Sequence, residues 1–307
     1  MSGSWHEVSR CPGCDGPEGE FAGRLEGDHY ALPDRAVRFP PGGVRLLRCP
    51  RCRLVYKSVV PSAAAIEAVF TGLGESAWAS PYSFAADAAE VAALVGRRDI
   101  GLLDIGAAGG DLLRACRGFA SRRSALDLAP HPSLEADALT GEFIRGTLDD
   151  RKIAWSGRPY DVVTAFDVFE HLYDIPASLE NLAAFVAPGG YLLIETGDAD
   201  GTWPRAYGIG RWWYARLFQH HVFWSRPAFE NLVGRGAFEL VGIRTVRHKV
   251  RGEERLRKGV VDELKALAYA TWPRGYEHVA RATGRVYWQP MSSLARDHLR
   301  VVLRRRS

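Results

Sequence analysis

Between residues 99 and 247, short apolar runs that end in acidic residues take turns with stretches of helical spacing. Ile100–Ile105 is apolar up to Asp104, and a second run ends as Ala125-Leu126-Asp127. Phe143–Arg145, Tyr160–Phe166 and residues 191–196 complete a series of five. Apolar runs of this length, bounded by turn residues, read as strands buried on both faces. Residues 125–128 are expected to form the second strand. Between the fourth and fifth runs, Leu179, Leu182, Ala183 and Val186 share one face of a helix expected over 176–186. Pro188-Gly189-Gly190 stops that helix. Strands separated by helices predict an α/β fold with a doubly wound parallel sheet.

Flanking segments follow other patterns. Residues 62–70 and 83–95 read as helices joined by a Gly-rich turn, bracing the core or covering its cleft. After residue 196 comes a loop with Trp203-Pro204, then an aromatic cluster with Trp212, Trp213, Tyr214, Phe223 and Trp224. A helix over 226–234 and a strand over 238–247 follow. Leu256, Val260, Leu264, Leu267 and Thr271 fall at helical spacing and predict an amphipathic helix over 253–271. Residues 298–303 read as a last strand.

The 307 residues are 47% hydrophobic, enough for a large domain with an appendage. No run of eighteen apolar residues predicts a membrane span. The first residues carry no charged head followed by an apolar stretch, so the cytosol is the expected compartment. Net charge is +4 but uneven. Residues 244–307 hold 16 Lys plus Arg against 6 Asp plus Glu, a balance of +10, and the other 24 basic and 30 acidic residues give −6. A basic C-terminal region suits an anionic substrate, nucleic acid or a membrane surface, or is a solvated arginine-rich face.

Four of the five cysteines form two pairs, Cys11-Pro12-Gly13-Cys14 and Cys49-Pro50-Arg51-Cys52. Two such knuckles place four thiolates tetrahedrally around Zn²⁺. The alternative is two disulfides or redox pairs, which a reducing compartment disfavours. Four thiolates leave no open coordination position, so a metal here is expected to be structural. It would stabilise a segment too small to bury much core. Strands are expected near 44–48 and 54–57, with a loop or hairpin filling the gap between the knuckles. Cys116 reads as a small buried hydrophobe.

Residues 102–113, LLDIGAAGGDLL, place Asp104 at a strand end, then Gly106, Gly109 and Gly110, then a helix start. Strand, glycine turn and helix N-terminus make a nucleotide-binding corner, because glycine lets the backbone approach a ligand. Asp127, about twenty residues on, stands where an acid binds ribose hydroxyls, or it caps the next helix. The turn resembles motif I (D-x-G-x-G-x-G) of the class I S-adenosylmethionine-dependent methyltransferases. Asp104, Gly106 and Gly110 match it, and Ala108 replaces the middle glycine. Glu170-His171-Leu172 after the fourth strand and the Pro188-Gly189-Gly190 turn add to the likeness, which covers about residues 80–245.

The resemblance implies a seven-stranded Rossmann-like sheet, with the last strand beside the sixth. Three blocks follow: a zinc ribbon over 1–60, a helical connector over 61–98, and a methyltransferase core over 99–307 in which 250–295 is an inserted lid or substrate wall. It also implies S-adenosyl-L-methionine as methyl donor, with Asp104, Gly106 and Gly110 near its methionine part. Asp127 would lie on ribose, Leu128 against adenine, and Asp167 near the amino group. Asp149 would accept from the adenine amino group, or cap a helix. A hydroxyl or carbon-acid acceptor needs a base, for which histidine suits neutral pH. His171 lies past the fourth strand, where it serves as base or shapes the loop. The HHVFWS stretch with His220 and His221 resembles the H-x-x-x-F-S region of zinc-ribbon methyltransferases acting on sugar nucleotides and natural products. Those enzymes carry a Tyr and Glu-His grouping where this chain has Phe218 and His220-His221. The acceptor implied is a small molecule: a sugar nucleotide, a glycoside or a specialised metabolite. Two alternatives stay open. One is a ribosomal or transfer RNA methyltransferase using the ribbon on RNA. The other is a non-catalytic protein with a decayed site.

Overall fold

The computed structural model describes residues 5–32, 36–72, 83–128, 130–131, 134, 138–234, 236–247, 255–283 and 295–307. In chain order, β1 (Trp5–Glu7), β2 (Glu20–Arg24), β3 (His29–Ala31), β4 (Ala36–Arg38), β5 (Arg45–Arg48), β6 (Val55–Lys57) and β7 (Val59–Pro61) precede helix α1 (Ala63–Gly72). Helix α2 (Ala85–Val95) leads into β8 (Ile100–Ile105), α3 (Asp111–Ala115), β9 (Ala120–Asp127), β10 (Phe143–Arg145) and β11 (Tyr160–Phe166). Then come α4 (Ile175–Phe185), β12 (Val186–Gly197), α5 (Thr202–Tyr207), β13 (Val222–Phe223), α6 (Arg226–Leu232) and β14 (Phe238–Val246). Helices α7 (Arg255–Thr271) and α8 (Pro273–Ala282) precede β15 (His298–Arg305).

These elements gather into two compact units. The first comprises Met1–Ala77, Gly197–Arg226 and Thr245–His298, and the second Trp78–Thr196, Pro227–Arg244 and Leu299–Ser307. This grouping cuts across the linear blocks 1–60, 61–98 and 99–307. Residues 197–226 and most of the 250–295 segment pack with the ribbon.

The second unit is built on a seven-stranded sheet in the order β10-β9-β8-β11-β12-β15-β14. Strands β10, β9, β8, β11 and β12 pair in parallel, with Asp104 beside Ala125 and Thr164. The last strand, β15, lies between β12 and β14, as expected. Its core is mainly aliphatic, including Val91, Ile100, Leu102, Leu113, Val162 and Leu193, with Cys116 buried among them. Burial pushes the Cys116 thiol up to about 12, which fits a packing role.

The first unit holds a four-stranded sheet in the order β13-β6-β5-β2. The gap between the knuckles contains β2 and the β3–β4 hairpin. The core is aromatic: Tyr30, Trp203, Trp212, Trp213, Tyr214, Phe218 and Phe223 pack together with Val44, Leu46 and Val55.

Three expectations are corrected. Strand β9 starts at Ala120 rather than 125. Its polar opening pairs with β8 and hides Arg123, whose guanidinium donates to the carbonyls of Ala138 and Ala120. Strand β12 starts at Val186 and runs through Pro188-Gly189-Gly190, with a register shift between Tyr160 and Val162 and Gly189 at φ +75°. A bulge and a left-handed glycine carry the turn residues inside the pairing. Helix α7 forms, but Val260, Leu264 and Leu267 are exposed while Ala266, Tyr269 and Ala270 are buried. The two alanines admit close approach to the aromatic core, and the Arg216 guanidinium lies 5.0 Å from the Tyr269 ring centre. The side chain of Leu256, residues 253–254, Pro132 and the Gly-rich joint within 73–82 lie outside the described residues.

Candidate functional site

The carboxyl ends of β8 and β9 form a corner in the second unit. Asp104 is buried and accepts from the Thr164 hydroxyl at 2.7 Å, which locks β8 to β11. Gly106 and Gly110 adopt φ +71° and +76°. A Cβ on Gly106 would stand 2.8 Å from Val168 Cγ2, and one on Gly110 would stand 2.6 Å from Leu134 Cδ1. Both positions therefore require glycine by conformation and by space. Ala108 takes φ +43°, so it enters the left-handed region where the motif prefers glycine. Asp127 secures this loop: Oδ2 accepts from Ala108 N–H at 2.9 Å and Oδ1 from Leu128 N–H at 2.7 Å. Burial raises its pKa and these two N–H groups oppose the shift. Leu128 is 48% exposed beside it, an apolar face open at a strand end.

Past β11, Asp167 holds φ +56°, and its N–H donates to the Glu195 carbonyl. A single 3₁₀ turn over Phe169–His171 follows. Glu170 is fully buried and accepts from Thr196 Oγ1 at 2.8 Å. His171 Nε2 lies 3.8 Å from Glu170 Oε1, with about a third of its side chain exposed. Asp149 Oδ2 accepts from the N–H groups of Tyr173 and Asp174. It therefore braces the loop after the 3₁₀ turn rather than capping a helix.

In the first unit, His220 and His221 are both buried. His220 Nδ1 meets the Tyr214 carbonyl at 2.9 Å. A carbonyl only accepts, so Nδ1 carries a proton and donates it to Tyr214. The expected aromatics, Trp203, Trp212, Trp213, Tyr214, Phe223 and Trp224, are all buried. A pair the sequence reading missed lies beside them. Asp297 Oδ2 accepts from the indole N–H groups of Trp212 and Trp213, each at 2.9 Å, and Asp297 Oδ1 meets His298 Nδ1 at 2.9 Å. Trp212-Trp213 next to a later Asp-His was a faint signal, since buried indoles need acceptors.

The four cysteine sulfurs lie within 4.8 Å of one another. Cys11 and Cys52 are 3.4 Å apart, and Cys14 and Cys49 are 3.6 Å apart. A zinc tetrahedron with bonds of about 2.3 Å has edges of about 3.8 Å, so the residues fit that metal. All four thiols are free, which disposes of the disulfide alternative. The two knuckles are built alike: Asp15 N–H bonds the Cys11 carbonyl and Arg53 N–H the Cys49 carbonyl, each at positive φ. The Cys52 thiol, with help from the N–H groups of Gly13 and Cys14, lowers the Cys11 pKa, and the same hydrogen bond raises that of Cys52.

A family model described as a methyltransferase domain matches residues 77–242, more than half of the chain. The chain belongs to this methyltransferase family. It is 32% identical over 102 residues to ubiquinone biosynthesis O-methyltransferases of Vibrio parahaemolyticus serotype O3:K6 and Vibrio vulnificus YJ016, covering 31% of this chain and 43% of each relative. It thus spans less than half the length of these curated relatives. The crystal structure of Burkholderia thailandensis 1,6-didemethyltoxoflavin-N1-methyltransferase, with bound 1,6-didemethyltoxoflavin and S-adenosylhomocysteine, superimposes with a TM-score of 0.51 at 13% identity. The match covers 92% of this chain and all of that one. That likeness concerns the fold, the class I methyltransferase sheet.

Within this methyltransferase, Asp104, Gly106, Gly110, Asp127, Leu128, Asp149, Asp167 and His171 all belong to the second unit, and His220, His221 and the four cysteines to the first. The sequence reading also missed Arg300, buried on β15. Arg300 donates to Asp87 Oδ1 at 2.5 Å and through Nε to Glu195 Oε2 at 3.0 Å, and covers the Phe166 ring at 4.2 Å. Although burial lowers its pKa, Glu195 and Asp87 raise it by more. The network ties α2, β12 and β15 under the strand ends that carry the corner. A lone Asp87 on an alanine-rich helix was its only trace in the sequence.

Proposed function

We propose that the protein transfers a methyl group from S-adenosylmethionine to a hydroxyl of a small molecule, with a sugar nucleotide, glycoside or specialised metabolite as the acceptor class. The observation that carries this reading is the glycine corner: two left-handed glycines that exclude any Cβ, an acid clamping the turn, and an exposed Leu128 at the next strand end. These residues fit a nucleoside sulfonium. The left-handed turn that Gly106 and Gly110 permit brings backbone to its methionine part, Asp127 accepts from ribose hydroxyls, Leu128 covers adenine, and Asp167 and Asp149 receive the amino groups. When bound, the donor supplies a methyl carbon activated by the positive sulfur. The protein's own part is to orient the acceptor, exclude water and accept its proton. His171, His220 and His221 are the candidate acceptors of that proton. The sequence slightly favours His221; His220 is preferred here because the Tyr214 carbonyl fixes its ring through Nδ1. The hydroxyl acceptor is supported by the relatives named O-methyltransferases.

At least four of the sixteen C-terminal basic residues are engaged within the fold, which favours a small acceptor over nucleic acid. Arg300 is buried among carboxylates, and Arg304, Arg305 and Arg306 bond the carbonyls of Gly189, Val186 and Gly236. No helix among the described residues is long and apolar enough to cross a membrane.

Calorimetry with S-adenosylhomocysteine is the first test, followed by labelled-methyl transfer to a panel of hydroxylated acceptors. Binding is expected for the unmodified protein. Asp127→Ala should weaken it by roughly 10- to 100-fold, the effect of losing about 1.5–3 kcal/mol of hydrogen bonding to a charged group. No heat with donor or product would remove the reading.

A further inference from the structure

Lys57 ends β6 and is completely buried in the first unit. Its Nζ donates to the Leu217 carbonyl at 2.7 Å and lies 4.6 Å from the Tyr30 ring centre and 6.0 Å from that of Phe223. No acidic side chain pairs with it among the described residues. Burial in this aromatic setting pushes its pKa well down. A buried lysine without a carboxylate is costly, so its placement needs a reason.

The surrounding bonds supply one. The backbone N–H of Lys57 donates to the His221 carbonyl at 3.0 Å, while its side chain reaches Leu217. One residue thus grips both ends of the segment 217–221. The Leu217 carbonyl also accepts from the His220 N–H at 3.3 Å, so the Lys57 ammonium and the turn that presents His220 share an acceptor. Strand β13, directly after the two histidines, pairs with β6 through Val222–Tyr56 and Phe223–Val55. On the other side, β6 follows the Cys49–Cys52 knuckle, where Cys49 N–H bonds the Leu54 carbonyl. The metal knuckle is therefore the turn of the hairpin whose far end holds the histidine segment.

We propose that Lys57 is a positioning residue that fixes the His220 imidazole from the metal-ribbon hairpin, so that the cysteine cluster sets the geometry of the proton acceptor. The functional half of this proposal rests on the methyl-transfer reading above. Its structural half does not.

The test uses full-length, zinc-loaded protein with ¹³C-labelled histidine, the His220 ring signal being assigned by its loss in His220→Gln. In Lys57→Met the His220 signal should shift or split while the His131 signal stays in place. Lys57→Gln, which keeps a donor, should fall between Met and wild type. Stripping zinc from the unmodified protein with a chelator should also displace the His220 signal, which covers the case in which neither variant folds. In the folded variants, S-adenosylhomocysteine affinity should stay within threefold, and kcat should drop at least tenfold with little change in KM for the donor. An unmoved His220 signal in a folded Lys57 variant, or after metal removal, overturns the positioning role. Failure of the unmodified protein to bind S-adenosylhomocysteine would instead remove the methyl-transfer reading and leave the imidazole comparison intact.

Discussion

The two units are stabilised by different chemistry. The sheet unit buries aliphatic side chains from strands that follow one another in sequence, and its buried ions Arg300, Asp87 and Glu195 answer each other. The ribbon unit buries tryptophans, tyrosines and phenylalanines brought from three separate stretches of chain, around strands of two to five residues. Buried Asp297 and Lys57 there are met by indole N–H groups and a backbone carbonyl. Regular backbone pairing carries the first. The second relies on specific side-chain bonds and carries a cysteine cluster that fits a zinc ion, because short strands supply few ladder bonds.

The strongest way to break this contrast is to take away the metal. Structural zinc in small domains contributes apparent binding energies of about 10–16 kcal/mol. Chelation should therefore expose the ribbon unit's buried indoles, Trp203, Trp212, Trp213 and Trp224, and red-shift tryptophan emission. Emission unchanged after verified zinc loss would show that the aromatic core stands by itself. Arg300→Met attacks the other unit. It leaves Asp87 and Glu195 buried without their cation and should cost about 3–5 kcal/mol in denaturant unfolding. A loss below 1 kcal/mol would mean that the aliphatic sheet needs no ionic network.

Asp198 sharpens the comparison through pH. It lies in the ribbon unit, accepts from Asp200 N–H at 2.9 Å, and burial raises its pKa to about 6. A carboxyl whose folded pKa lies above its unfolded value near 3.8 binds protons more tightly when folded. Its ionisation thus destabilises the fold increasingly as pH rises from about 4 to about 6, and by a constant amount above that. Asp198→Asn should stabilise the protein at pH 8 by on the order of 2 kcal/mol and have no effect below pH 4. Equal effects at both pH values would contradict that sign. The smallest change is Ala108→Gly, which relieves a left-handed alanine in the glycine corner. A gain of about 0.5–1 kcal/mol in thermal unfolding is expected, since relief of strain exceeds the added chain entropy. A loss of stability would mean that the loop carries no strain at φ +43°.

Legibility followed the same division. In the sheet unit, the parallel strands, the glycine corner and Asp127 at a strand end were readable because apolar runs and turn residues sit close together in sequence. The start of β9 was not, since Arg123 is satisfied by carbonyls that only the fold brings near. That the four cysteines cluster was readable from spacing alone. That their hairpin pairs with β13 was not, because Lys57 and Leu217 are 160 residues apart. Helix α7 was predicted with the wrong face inward. Hydrophobic spacing finds a stripe, while the shape of the receiving core decided in favour of Ala266 and Ala270.

By itself, then, the order of residues determined the parallel sheet, the glycine corner and the cysteine cluster, since each depends on neighbours within a few tens of positions. Only the tertiary structure decided the aromatic core, the Asp297–His298 and Arg300 pairings, and the grip of Lys57 on the histidine segment. Those contacts join groups with no common periodicity, and a buried polar atom takes whichever partner the packed chain delivers to it.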